Sequence, residues 1–149
     1  RTVPIGTYQI QGALSRAMNL PPSRNIDLLQ GMTVPSNSMD TVGSPRPGAG
    51  MNPGTAAMLR ILGELADELR RSIDFYLNQG ENQEIAQLLL AGPGAAIGQL
   101  DEFFTQRLSL PCSQIDPVAA LSLTAADGIP VESRPGLGVV LGLGLREAW

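Results

Sequence analysis

The sequence predicts an α/β domain, and three observations lead to that expectation. Residues 54–77 repeat apolar positions every three or four residues, the period of a helix with one buried face. Ile85 to Leu90 is a near-continuous aliphatic run, as expected of a strand covered on both faces. Between that run and a second helical pattern lies a turn made of glycine and proline, Gly92-Pro93-Gly94. A strand, a turn and a helix in this order argue for at least one crossover connection.

Taken from the start, Thr2 to Ile5 reads as a short apolar strand ended by Gly6. Gln9 to Asn19 places Ile10, Ala13, Leu14, Ala17 and Met18 at helical spacing, and Pro21-Pro22 stops that helix. Ser23 can cap a second helix that carries Ile26, Leu28 and Leu29 as far as Gly31. The stretch of about 32–52 is rich in Ser, Asn, Pro and Gly and has no periodicity, which predicts a flexible surface loop.

Asn52 is a good N-cap and Pro53 suits the first helical position, so the long helix has a defined start. Its stripe of Leu62, Leu65, Leu69 and Ile73 is expected to be buried. On the opposite face Asp67 with Arg71, and Arg70 with Asp74, stand at i,i+4 spacing and read as solvated ion pairs. A partner-binding arginine face is the other reading of the same residues. After the glycine turn, a helix is expected from about Ile97 to Leu108, with Leu100, Phe103 and Phe104 on one side. Leu110-Pro111-Cys112 begins a further extended segment, and Asp116-Pro117 opens a helical turn through Leu121. Residues 124–136 read as a second flexible loop, and Leu137 to Trp149 closes the chain with glycine-spaced aliphatics.

Composition narrows the function. The 149 residues suit one domain, and 43% of them are hydrophobic against 16% charged, a globular balance. Every basic residue is an arginine, and the net charge of −4 gives no basic footprint for nucleic acid. Cys112 is the single cysteine, so it cannot form an internal disulfide, and without histidine nothing is at hand to activate it as a nucleophile. It reads as a small buried hydrophobe. One cysteine and no histidine also make a zinc site a poor expectation. Carboxylate pairs such as Asp101-Glu102 lie on polar segments without the burial that tunes an acid or base. The longest apolar stretch, Leu137 to Leu145, is far short of the ~20 residues of a membrane span. The expectation is a cytoplasmic protein that binds or scaffolds something and is not a self-sufficient enzyme.

Only the turn from Ala91 to Ala95 could hold a nucleotide, because it follows a strand, precedes a helix and lets backbone approach a ligand closely. Such a turn is also, quite simply, a turn. It differs from the phosphate loop GxxxxGK[ST], since no lysine is present to reach the phosphates.

Four segments resemble the PilM family of actin-like assembly proteins of type IV pilus machines. They are Arg1-Thr2-Val3-Pro4-Ile5-Gly6 with the helix at Gln11-Gly12-Ala13-Leu14, then Glu68 to Tyr76, which is similar to that family's "EIRRSLDYY". The third runs from Ile85 through Leu110-Pro111 to Asp116-Pro117, and the fourth is Gly142-Leu143-Gly144-Leu145-Arg146. The resemblance implies the second, C-terminal lobe of an actin-like (ASKHA) fold spanning 1–149, with a mixed sheet flanked by helices and further residues before Arg1. It implies that Ala91, Gly92, Pro93, Gly94 and Ala95 border an adenosine, and that Arg24 and Asp27 stand near its ribose and base.

Two departures accompany it. The family's "GGG" or "GGA" is Gly92-Pro93-Gly94 here, which removes a backbone donor, and Arg24 with Asp27 reverses the family's Glu and Lys. The expected cofactor is ATP in a longer protein, bound weakly or not at all by this chain alone. The implied partners are a PilN-like inner-membrane protein, through its cytosolic N-terminal segment, then the pilus motor ATPases and platform protein. The implied location is the cytoplasmic side of the inner membrane, held there through partners. The alternative is a nucleotide-dependent ATPase of the cell-division, FtsA-like type.

Overall fold

A computed structural model describes residues 2–21, 27–35, 52–80, 84–124 and 128–146. Among the described residues, six α-helices and two short strands follow one another: α1 (Thr7–Ala17), α2 (Asp27–Gln30), α3 (Pro53–Leu77), β1 (Leu88–Leu90), α4 (Leu100–Leu108), β2 (Cys112–Gln114), α5 (Pro117–Ala120) and α6 (Gly138–Gly144). Two 3-10 segments, Pro93–Ala96 and Val131–Leu137, fall between β1 and α4 and before α6. The chain is α/β as expected. Its sheet among the described residues is a parallel pair, Leu88 opposite Cys112 and Leu90 opposite Gln114, with α4 as the crossover, rather than a mixed sheet.

The core lies where α1 and α4 meet α3. Leu14, Met58, Leu62, Ile97 and Phe104 are fully enclosed, and Leu29 and Val34 join them from the α2 side. Each such side chain is worth about 1.5–3 kcal/mol of burial. Phe103 and Phe104 meet edge to face with ring centroids 5.4 Å apart. Asn52 caps α3 as the sequence requires, its side-chain oxygen accepting from the Gly54 N–H at 2.8 Å. At Gly54 a Cβ would come within 2.8 Å of the Met18 sulfur, so glycine there lets the end of α1 close on the start of α3.

Several expectations need correction. Thr2 to Ile5 is not a strand. The Gln9 side chain donates to the Pro4 carbonyl at 2.8 Å and accepts from the Gly6 N–H at 3.0 Å, so these backbone groups cap α1 instead of joining a ladder. The run Ile85 to Leu90 contributes only Leu88–Leu90 as strand, and it is not covered on both faces. Leu88 and Leu90 pack on the core, whereas Leu89 alternates outward and is 58% exposed.

The helix expected from Ile97 begins at Leu100, because the Gly98 N–H donates to the Met32 carbonyl and the Gly98 carbonyl accepts from Val34, each at 2.9 Å. That bridge holds Gly98 extended, and Gln99 turns the chain into α4 with a φ of 58°. Within α3, Leu62 is buried, but Leu65, Leu69 and Ile73 are only half-buried. The reason is length: 25 residues of helix extend about 37 Å, and the 11-residue α1 covers less than half of that.

The charged face pairs differently from the i,i+4 expectation. Asp67 reaches Arg107 of α4 at 3.6 Å, Arg71 pairs with Glu68, and Arg70 donates to the Arg107 carbonyl at the end of α4. Of the region read as a second loop, Val131–Leu137 is a 3-10 helix packed on the glycine turn. The other loop reading, about 32–52, lies outside the described residues from 36 to 51, and within it Val34 is buried.

Candidate functional site

The turn that leaves β1 is built from four directions. Gly92 has a φ of 89°, a conformation that favours glycine. Its N–H donates to the Pro135 carbonyl at 2.9 Å, and its own carbonyl accepts from the Ala95 N–H at 3.0 Å. Pro93 lies against Gly136 of the second 3-10 segment, where an added Cβ would sit 3.8 Å from the proline ring nitrogen. On the opposite side a Cβ at Gly94 would stand 3.0 Å from the Thr7 hydroxyl, so the turn approaches the first residue of α1 closely.

From beneath, the Gln114 amide donates to the Ala95 carbonyl at 2.7 Å and to the Ile97 carbonyl at 3.0 Å. The Gly98 bridge to Met32 and Val34 completes the frame from the α2 side. Sequence reasoning picked out the turn itself but missed Gln114, Thr7, Pro135 and Gly136. A glutamine in an extended segment gives no signal that its amide will fold back on a turn seventeen or nineteen residues earlier.

Of the residues expected at the site, Ala91 to Ala95 form one continuous wall with Ala95 buried. Asp27 opens α2, and α2 packs against the turn, so its backbone is brought to the same side. Gln30, at the other end of α2, donates to the Ser133 hydroxyl at 3.3 Å and ties α2 to the second 3-10 segment. Arg24 lies outside the described residues. Pro93 has no N–H to offer a ligand, as the sequence dictates.

A groove of about 290 Å³ runs along this wall between the start of α1, the middle of α3 and the face of β1. Its lining is mostly aliphatic or glycine, including Gly6, Leu62, Leu88, Leu89 and Gly94, with Thr7 and Phe104, and none of these described lining residues is ionisable. Among the described residues no group of acidic, cysteine or histidine side chains is arranged as a metal site. Cys112 sits half-buried behind the wall, with its thiol directed at the Leu110 carbonyl at 3.2 Å. Burial pushes that thiol above its ordinary pKa, so it stays protonated near neutral pH.

A charged latch ties α5 to the second 3-10 segment. Asp116 caps α5, one carboxylate oxygen accepting from the Val118 and Ala119 N–H groups at 3.0 Å each. The other oxygen accepts from Arg134 Nη1 at 3.1 Å. The Ala119 bond, with Arg134 assisting, holds the Asp116 carboxyl below its usual range. This latch fixes the second 3-10 segment, which in turn supports the glycine turn and leads into α6.

Among the described helices α6 stands apart. None of its seven residues is buried, and Val139, Val140 and Leu143 are 74%, 65% and 64% exposed. Leu145, just beyond it, is also exposed. No described helix is long and apolar enough to cross a membrane. The aliphatic face of α6 therefore lies open, the helix packing chiefly on the second 3-10 segment among the described residues.

A comparison with curated proteins finds no match. A protein-family comparison does, over residues 59–148, a span that takes in most of α3, the glycine turn, the Asp116 latch and all of α6. That span is well over half of the chain, and the chain belongs to the family of the type IV pilus assembly protein PilM.

Proposed function

We propose that this chain serves type IV pilus assembly as a scaffold, forming part of an actin-like protein that docks on the cytosolic N-terminal segment of a PilN-like inner-membrane protein. The observation that carries the reading is the aliphatic face of α6, which lies wholly inside the family match and has no fully buried residue. Exposed apolar side chains grouped on one element are the mark of a surface used for protein contact. Further contacts with the motor ATPases and the platform protein belong to the same proposal.

ATP enters as the family's expected ligand, with the turn Ala91 to Ala95 as its adenosine side and Arg24 and Asp27 close to the ribose and base. The turn supplies shape, through Gly92 and Gly94, but little charge and one donor fewer at Pro93. On that basis nucleotide contributes at most weak binding to this chain, and the working role is mechanical.

The test is co-purification. The protein made from its own gene in pilus-bearing cells is captured through an affinity tag and its partners are identified. Recovery of the PilN-like protein supports docking, and its loss in the Val140→Asp, Leu143→Asp variant places the contact on α6. If the pilus proteins are recovered with both versions equally, α6 is not the docking face. If neither version recovers any of them, the scaffold reading fails.

A further inference from the structure

We draw no further inference here: the strongest candidate, the apolar groove between α1, α3 and β1, carries nothing, because nothing in the structure shows what covers it.

Discussion

The α1–α3–α4 body and the segment from Val131 to Gly144 are stabilised by different means. The body encloses Leu14, Met58, Leu62 and Phe104 completely, and its helices bury one face each. The later segment buries almost nothing: Pro135 is its one enclosed residue, and α6 has none. It is held instead by a few directed bonds, from Gly92 to Pro135, Gln30 to Ser133 and Arg134 to Asp116. Apolar burial sets stability in the first region. Hydrogen bonding sets position in the second, and leaves its aliphatic side chains free for other contacts.

That contrast is easiest to break in the body. Leu62→Ala should cost roughly 2–5 kcal/mol through transfer and cavity terms, measured by urea denaturation. A loss under ~1 kcal/mol would mean that the core is not where α1 crosses α3. Leu69→Ala, about two turns further along the same face of the helix, should cost roughly 1 kcal/mol because its side chain is only half-buried. Equal losses at the two positions would show that α3 is covered further along than α1 and α4 reach.

The latch should respond to acid. The Asp116 carboxyl is held below its ordinary pKa by the Ala119 N–H and by Arg134, so the stability it contributes is present above the unfolded carboxylate range. It should be lost as the pH falls through the lowered folded-state value. Thermal melts of the parent and of Asp116→Asn should therefore converge in acid and separate toward neutral pH. Parallel curves at all pH values would remove the charge from the explanation and leave only the cap.

The glycine turn joins the two regions, and on the proposed reading it holds nucleotide weakly at most. Titration calorimetry of the chain with ATP and magnesium should give binding no tighter than about millimolar, roughly −4 kcal/mol. A micromolar constant would favour the nucleotide-dependent ATPase reading over the scaffold.

The body was legible in the sequence because helical periodicity and caps are local signals. Asn52-Pro53 marked the start of α3, and the stripe through Leu62 marked its buried face. The glycine turn and the Asp116-Pro117 helical start were legible for the same reason. What escaped was set by tertiary neighbours. Thr2 to Ile5 has the composition of a strand, yet Gln9 claims its backbone for a cap. Nothing in Leu65 or Leu69 announces that α1 ends too soon to cover them. The Gln114 bonds and the packing of Gly136 on Pro93 depend on segments that meet only in the folded chain. The polar, proline-containing stretch before α6 looked like loop, and its 3-10 geometry rests on the latch and on Gly92.

The most direct test sets the two regions against each other in one experiment. Leu62→Ala and the Val140→Asp, Leu143→Asp double variant are each expressed in pilus-bearing cells, with melting temperature, PilN-like partner recovery and surface piliation measured together. The α6 variant should melt within about 0.5 kcal/mol of the parent, because it removes no buried group, and should lose the partner and the pili. Leu62→Ala should lose stability first, with partner recovery falling only as far as the folded fraction falls. Full piliation and partner recovery with the α6 variant would contradict the division of labour between a self-packed body and an open assembly face.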